Sequence, residues 1–255
     1  MSEFQHEIRE RLRAAQSDAR LRAASRAFTE ASIASRYSYN FGWMGRPIIQ
    51  YPQDIVAMQE LVWATRPDLI IETGIAHGGS LVLSASLLAL LDLAEAERAG
   101  TVLDPRASRR RVLGIDIDIR AHNRAAIEAH PMARRIDMIE GSSIADEVVA
   151  QVQRIASNHA RVMVCLDSNH THAHVLAELE AYAPLVTPEC YCVVFDTVIE
   201  DLERGSFADR PWDVGDNPRT AVAAFLATNG DFVVDEEMDA KLQVSVAPGG
   251  YLRRL

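Results

Sequence analysis

Short apolar runs and longer helical patterns alternate along most of the chain. Short segments rich in apolar residues predict five strands, at residues 69–71, 112–116, 136–140, 162–166 and 191–195. The fourth is a continuous apolar run, as expected for a buried parallel strand. Apolar residues spaced three and four positions apart predict helices between them, at 55–65, 81–93, 120–130, 144–157, 172–182 and 219–228. This alternation is typical of a mainly parallel sheet with right-handed crossovers, so we predict an α/β fold with helices on both faces.

The two ends of the chain depart from this alternation. Residues 3–35 contain no Pro or Gly and have helical spacing, which predicts an N-terminal helical extension (1–36) ahead of one domain (37–255). The extension either covers the core or pairs with a neighbouring subunit, and we expect a homo-oligomer. Near the C-terminus, residues 231–235 and 242–247 predict two last strands that form an antiparallel edge of the sheet.

A segment rich in aromatic residues, glycine and proline precedes the first strand, at residues 37–54. Its composition suits either an ordered loop over a pocket or a connector that packs into the core. Asp54 is expected to cap the following helix.

Composition narrows the class of protein. The chain has 255 residues, 48% of them hydrophobic, and a net charge of −10, which argues against a nucleic-acid-binding surface. The odd number of cysteines (Cys165, Cys190 and Cys192) and their apolar surroundings indicate buried free thiols in a reducing cytoplasm. The N-terminus lacks the apolar core of a signal peptide, and the apolar helix at 81–94 is shorter than the roughly 20 residues that span a bilayer. We therefore expect a cytoplasmic enzyme with no membrane or nucleic-acid partner.

A glycine-rich turn, IIETGIAHGGS at residues 70–80, joins the first strand to the next helix. Such a turn lies at the carboxyl end of a strand, where ligands bind in open α/β sheets. A dinucleotide fingerprint requires a glycine where this chain has Ala76 and an acid about 20 residues on, whereas Asp116 lies much farther along. A turn that only packs strand on helix is a further alternative.

The same turn fits the pattern of an S-adenosylmethionine (SAM) site better. Glu72, Gly74 and Gly78 match acid-x-G-x-G-x-G with one glycine replaced by alanine. An acid before the glycines suits a ligand with an ammonium group and would repel a pyrophosphate. SAM is therefore the favoured ligand, with a nicotinamide dinucleotide as the alternative.

Polar residues follow the next two strands as well. Asp116 ends the second strand, where an acid commonly bonds the ribose hydroxyls of a nucleotide. Ser142 and Ser143 follow the third strand, where they either lie at the edge of an adenine ring or cap the next helix. Our candidate cofactor-binding residues are Glu72, Gly74, Gly78, Ser80, Asp116, Ser142 and Ser143.

Two aspartates close the fourth and fifth strands. Asp167 and Asp196 follow strongly apolar runs that we expect to be neighbouring strands, so their carboxylates would face one crevice. Each alone is more often a cap or turn residue, but two converging carboxylates favour Mg²⁺ or a similar divalent cation. We therefore predict Asp167 and Asp196 as metal ligands.

Three histidines follow Asp167. His170 stands three residues after it, so both side chains can reach one site, and we predict His170 as the group that takes a proton from an alcohol. His172 and His174 are expected to project elsewhere. Because two histidines and a carboxylate can bind iron, a non-haem iron hydroxylase remains an alternative, as does a zinc site.

Longer stretches resemble a known family. They are GRPIIQYPQDIVAMQELVWATRPDLIIETGIAHGGS, LGIDIDIR, LDSNHTHAHVLAELEAYAPLVTP and YCVVFDTVIED. Together they are similar to the cephalosporin hydroxylase/rhamnosyl O-methyltransferase family over about residues 37–250, most of all to members that methylate nucleotide-linked deoxysugars in antibiotic pathways. The resemblance implies a Rossmann-like class I methyltransferase fold with a seven-stranded sheet. It also implies SAM-dependent, metal-assisted methylation of a sugar hydroxyl, on a TDP-linked (thymidine diphosphate) rhamnose-type sugar.

The resemblance also implies roles for individual residues. Glu72, Gly74 and Gly78 would hold the methionine part of SAM and Asp116 its ribose, while Asp167 and Asp196 match metal-binding aspartates.

His170 occupies the position where catechol-type methyltransferases carry a lysine base, which supports it as the base. Phe195 and Thr197 depart from the family patterns, so the third metal ligand is undefined. Residues 37–43 and 197–218 would close over the sugar nucleotide.

Overall fold

The computed structural model describes residues 3–255. In chain order its strands are β1 (Phe41–Trp43), β2 (Arg46–Ile48), β3 (Leu69–Thr73), β4 (Arg111–Asp116), β5 (Ile136–Glu140), β6 (Val162–Leu166), β7 (Tyr191–Val194), β8 (Phe232–Val234) and β9 (Tyr251–Arg254). Its α-helices are α1 (Glu3–Ser17), α2 (Ala19–Ala34), α3 (Pro52–Thr65), α4 (Gly79–Ala99), α5 (Ala121–Glu128), α6 (Asp146–Ala156), α7 (His172–Tyr182), α8 (Pro218–Thr228) and α9 (Glu236–Leu242).

A seven-stranded sheet forms the centre of the molecule, in the order β5-β4-β3-β6-β7-β9-β8. The first five of these strands are parallel, and β9 is antiparallel to both β7 and β8. The five predicted parallel strands, the seven-stranded sheet and its antiparallel edge are therefore confirmed. The strand order reverses between β3 and β6, which places a crevice at the carboxyl ends of these two strands.

Helices cover both faces of the sheet, as predicted. Ile70 of β3 packs on one face with residues of α3 and α4, whereas Ile71 packs on the other face with residues of α6, α7 and α8. Because the central strands are covered on both sides, β6 is apolar at every position, and β3 begins with three successive apolar residues rather than alternate ones.

The last strand lies later in the chain than the sequence predicts. Residues 242–247 are not a strand, because helix α9 ends at Leu242 and the chain then turns with Gln243 at φ 59°. The strand is β9, in which Tyr251 and Leu252 are fully buried between β7 and β8.

Asp54 does not cap a helix, so that prediction is also wrong. Helix α3 begins at Pro52, and Asp54 is buried inside its first turn. Its carboxylate accepts hydrogen bonds from Ser245 Oγ (2.6 Å), Val246 N (3.0 Å) and Tyr251 Oη (2.7 Å). The carboxylate thereby ties α3 to the turn that replaces the predicted strand.

The aromatic segment at residues 37–54 packs into the protein, which agrees with its interpretation as a core-packing connector. Ile48 and Tyr51 are buried, and β1 and β2 form a small antiparallel hairpin that the sequence did not predict. A Cβ on Gly79 would lie 2.2 Å from the Pro47 carbonyl oxygen, so the hairpin backbone rests directly on the start of α4. The rings of Tyr37 and Phe41 pack on each other at 5.0 Å.

The N-terminal extension is helical but divided. Asp18 separates α1 from α2, because its side chain caps α2 by accepting hydrogen bonds from the Arg20 and Leu21 amides. The helical spacing continues through this position, so the sequence did not predict the break. Ser32 is the one buried residue of these two helices, and its hydroxyl lies 2.5 Å from Tyr51 Oη.

Helix α4 is longer than predicted. It has 21 residues, so the prediction that it is too short to span a bilayer was wrong. Within residues 3–255 it is the one helix that is long and apolar enough, by length and composition alone, to cross a membrane. Half of its most apolar 18-residue window is buried, as Leu81, Leu88 and Leu91 pack into the core.

Candidate active site

The glycine turn brings three strand ends into contact. Gly74 has φ 88° and its amide donates to the Ile115 carbonyl of β4. A Cβ on Gly74 would lie 2.1 Å from the Asp167 carbonyl oxygen, so only glycine lets β3 approach the end of β6 this closely. The turn therefore fixes the distance between the predicted cofactor residues and the first predicted metal ligand.

Glu72 provides a buried acceptor beside the turn. Its side chain is 4% exposed, and Oε1 has no hydrogen-bond partner within residues 3–255. Burial raises the pKa of Glu72, and the nearby Ser84 and Ser80 hydroxyls offset this only in part. A positively charged donor at this position would satisfy Oε1 and stabilise the ionised carboxylate.

The N-terminus of α4 lies next to Glu72. Its cap residue, Gly78, has φ 79° and provides no side-chain cap, so the first amides of the helix and the Ser80 hydroxyl can face a ligand. Free amides at a helix N-terminus attract anionic groups. Together with Glu72, this arrangement suits the ammonium and carboxylate groups of an amino acid.

Asp116 holds the glycine turn in place. Its Oδ2 accepts from the Ile75 amide at 2.8 Å and the Ala76 amide at 3.3 Å, and its Oδ1 accepts from the Asp118 amide at 3.1 Å. The structure thus gives the predicted ribose-binding acid a structural role, while the neighbouring Asp118 side chain is exposed.

Ser142 and Ser143 follow β5 as predicted, but Ser143 does not cap α6. Ala145 precedes that helix, with no side-chain cap. The buried Ser143 hydroxyl instead lies 3.1 Å from His174 Nε2, and its carbonyl accepts the Tyr182 hydroxyl. The cap interpretation is therefore wrong, while adenine contact stays a prediction.

The predicted acids converge. Asp167 follows β6 and Asp196 follows β7, and these strands are hydrogen-bonded neighbours. Ligand atoms of Asp167, His170 and Asp196 all lie within 4.8 Å of one another, and His170 Nε2 is 3.3 Å from Asp196 Oδ2. Two carboxylates and one imidazole at this spacing could bind a divalent cation, either with all three side chains or with the two carboxylates alone.

Electrostatics at this cluster favour a cation. Burial raises the pKa of Asp167 well above its usual range, and the charge of Asp196 raises it further. A divalent cation between the two carboxylates would offset both effects. The oxygen donors fit a hard ion such as Mg²⁺.

The other two histidines lie outside the cluster, as predicted. His172 Nδ1 is 2.8 Å from Thr220 Oγ1, and His174 Nε2 lies near Ser168 Oγ (3.2 Å) and Glu178 (3.4 Å). The described cluster therefore contains one histidine, where the predicted alternative of an iron site requires two.

Two side chains at the cluster were not predicted. Gln50 Nε2 lies 3.5 Å from Asp167 Oδ2, and its buried Oε1 has no partner within residues 3–255. The Trp212 ring packs edge-on against His170, with 4.6 Å between centroids and 81° between planes. The only sequence signal for Trp212 was its aromatic side chain in the polar loop 197–218, which also contains Phe207.

The chain is similar to known proteins. A model of the family described as rhamnosyl O-methyltransferase/CmcI matches residues 35–255. The rhamnosyl O-methyltransferase of Mycobacterium leprae (strain TN) is 27% identical over 216 residues, which cover 83% of this chain and 82% of that protein. Its counterpart in Mycobacterium tuberculosis (strain ATCC 25618 / H37Rv) is 27% identical over 218 residues, covering 83% and 77%.

Solved structures share the fold. A CmcI structure described as Mg-SAM superposes with a TM-score of 0.56 at 18% identity, covering 85% of this chain and 77% of that one. A CmcI apo-structure gives a TM-score of 0.55 at 17% identity with the same coverage.

Proposed function

The chain belongs to the rhamnosyl O-methyltransferase/CmcI family, and from this we propose that it transfers the methyl group of SAM to a hydroxyl of a rhamnose-type sugar with the help of a divalent cation. The observation that carries the proposal is the gathering of Asp167, His170 and Asp196 beside the glycine turn. A CmcI structure of the same fold is described as Mg-SAM, which supports the choice of both groups.

Glu72 and the start of α4 would hold the amino-acid end of SAM. The unpartnered Glu72 Oε1 suits its ammonium group, and Gly74, Gly78 and Ser80 present the amides and hydroxyl that suit its carboxylate. Asp116 would keep the turn in shape and contact the ribose, and Ser142 and Ser143 would lie beside the adenine.

Asp167 and Asp196 would hold the cation, and His170 would act as the base. Mg²⁺ prefers oxygen ligands, so an imidazole beside two carboxylates is left for proton transfer. When bound, the cation supplies Lewis acidity that lowers the pKa of a sugar hydroxyl. The sugar oxygen then forms a bond to the methyl carbon, the sulfur–methyl bond breaks, and the hydroxyl proton passes to His170 Nε2. The protein aligns the two substrates and excludes water.

The proposed acceptor is a nucleotide-linked deoxysugar such as TDP-rhamnose, of the kind used in antibiotic pathways. The family description supports a rhamnosyl acceptor, and the resemblance of the sequence supports its attachment to a nucleotide.

Incubation with SAM, Mg²⁺ and TDP-rhamnose tests the function directly. We expect the acceptor to gain the mass of one methyl group, and EDTA to suppress this gain until Mg²⁺ is restored. Full activity in metal-free buffer with EDTA would remove the cation from the proposal.

A binding assay separates the main alternative. We expect S-adenosylhomocysteine to bind and NADH not to bind. Binding of NADH without binding of S-adenosylhomocysteine would contradict the assignment of the glycine turn and favour an oxidoreductase.

A further inference from the structure

Trp212 connects the long polar loop 197–218 to the reactive cluster. The indole is half-buried and packs against His170, the proposed base. No hydrogen-bond partner for its N–H occurs among residues 3–255, so this donor is available beside the cluster. An indole wall with a free N–H is a common way to hold a sugar, because the ring packs on C–H groups while the N–H reaches a hydroxyl.

Arg210 contacts the same indole. Its guanidinium carbon is 5.3 Å from the centroid of the Trp212 ring, and that ring also packs against His170. Arg210 is exposed and makes no ion pair or side-chain hydrogen bond within the described part of the chain. The stacking therefore fixes the position of its charge without neutralising it.

Two nearby carboxylates are bound to backbone amides. The Asp213 carboxylate accepts from the Gly205 amide (3.0 Å) and the Val214 amide (2.8 Å), and Asp216 accepts from the His172 amide at 2.7 Å. These bonds give the loop a defined shape.

Two other arginines near the carboxyl edge are occupied. Arg46 donates to the His77 carbonyl and to Asn123, and Arg219 donates to Asp201 and the Pro248 carbonyl. Arg210 is thus a positioned cation that is free to bind an anion.

We propose that Arg210 and Trp212 form the recognition platform for the acceptor, in which Trp212 packs on the sugar and Arg210 binds the diphosphate of a nucleotide-linked sugar. This inference rests on the proposed function, because it assigns a role within the same site. Because Trp212 contacts both His170 and Arg210, a sugar whose reacting hydroxyl reaches the metal cluster would lie beside the indole, and a diphosphate on its anomeric carbon would lie near the guanidinium. Arginine suits this task because its planar fork matches two phosphate oxygens.

Binding of thymidine diphosphate alone tests the role of Arg210 apart from catalysis. In calorimetry with Mg²⁺ and S-adenosylhomocysteine present, Arg210→Gln should weaken binding by about tenfold or more, because a charge-assisted hydrogen bond to phosphate is lost. Arg109→Gln is the matched control, because Arg109 is also exposed and lies in the loop before β4, at the opposite edge of the sheet. It should bind like the wild type.

Kinetics with two acceptors tests the substrate class. Arg210→Gln should raise the KM for TDP-rhamnose by about tenfold with little change in kcat, and leave the KM for methyl rhamnoside, which has no phosphate, unchanged. Trp212→Ala should raise the KM for both acceptors, because both lose the indole wall.

The outcomes separate the inference from the proposed function. Equal effects of Arg210→Gln on both acceptors, no effect on either, or a wild type that does not bind thymidine diphosphate would overturn the inference. A wild type that binds thymidine diphosphate through Arg210 but methylates no sugar would support the platform and contradict the methyltransferase proposal.

Discussion

The carboxyl edge of the sheet has two halves that are built differently. We name the two halves after the ligands that we propose for them. In the cofactor half, formed by the glycine turn and the end of β4, backbone amides are bonded to a side chain, as when Asp116 Oδ2 accepts from the Ile75 and Ala76 amides. In the acceptor half, formed by the ends of β6 and β7 and the loop 197–218, side chains meet one another, as when His170 lies 3.3 Å from Asp196 and packs on Trp212.

The two halves therefore differ in what determines their structure. The cofactor half takes its form from backbone hydrogen bonds and glycine conformations, which leaves few ways to change it without loss of the fold. The acceptor half presents its side chains from strand ends and a surface loop, where substitution alters binding and leaves the sheet intact. We therefore expect substitutions in the cofactor half to lower stability, and substitutions in the acceptor half to lower binding or turnover.

The largest expected effect is in the acceptor half. His170→Ala should lower turnover by about 100-fold or more, because the proposed proton acceptor is lost. Binding of S-adenosylhomocysteine should be unchanged, since the proposed site of that ligand lies in the other half. Added imidazole should restore part of the activity, which a purely structural defect would not allow. Turnover and calorimetric binding measure these outcomes.

Two further variants sharpen this test. Asp167→Asn should lose binding of Mg²⁺, whereas His170→Ala should retain it if His170 is a base rather than a ligand. His122→Ala, at an exposed position on α5, should behave like the wild type. Near-normal turnover of His170→Ala would eliminate it as the base, and loss of its metal binding would make it the third ligand.

A buried network beneath the acceptor half gives a second, smaller effect. The Asp54 carboxylate accepts hydrogen bonds from Ser245 and Val246, which lie in the turn at 243–250. Carbonyl groups of the same turn accept hydrogen bonds from Thr197 Oγ1 and the Val198 amide, and these two residues directly follow Asp196. Burial is the main reason why the pKa of Asp54 is raised from 3.8 to about 6.

The free energy of unfolding should therefore fall as the pH rises from about 4 to about 6. In this range the folded protein keeps a proton on Asp54 that the unfolded chain releases, so deprotonation favours unfolding by about 2 kcal/mol in total. Asp54→Asn does not titrate, so the difference in urea stability between the two proteins should change over this range and level off above it. A difference that is constant from pH 4 to pH 7 would contradict the assigned pKa.

The same contrast explains what the sequence could predict. The central strands and the convergence of Asp167 and Asp196 follow from apolar runs and from the rule that neighbouring parallel strands end at one edge. The final strand was misplaced because residues 242–247 alternate like a strand, while two of the four residues of β9 are arginines. Its buried pairing with β7 is visible only in the fold.

The contents of the acceptor half were harder to predict. Trp212 reaches His170 only because loop 197–218 folds back over the cluster, and this loop has no periodic pattern to show its path. Gln50 reaches Asp167 from 117 residues away, across a hairpin that was not predicted. Asp116 was predicted as a ribose ligand from its position at a strand end and from the family resemblance, whereas its bonds to the turn amides required the folded geometry.

The smallest expected effect concerns this acid in the cofactor half. Asp116→Asn should lower the free energy of unfolding of the ligand-free protein by about 1 kcal/mol, because an amide nitrogen replaces one of the two oxygens that accept backbone amides. Affinity for S-adenosylhomocysteine should fall only a few-fold as the turn loosens. Urea denaturation and calorimetry measure these two effects.

Asp118→Asn is the matched control for stability, because its side chain is 73% exposed and only its amide contacts Asp116. Its free energy of unfolding should stay within about 0.5 kcal/mol of the wild type. If Asp116→Asn instead leaves the ligand-free protein equally stable and weakens only ligand binding, its carboxylate acts on the ribose alone. The cofactor half would then depend on its ligand for its shape, and the contrast with the acceptor half would not hold.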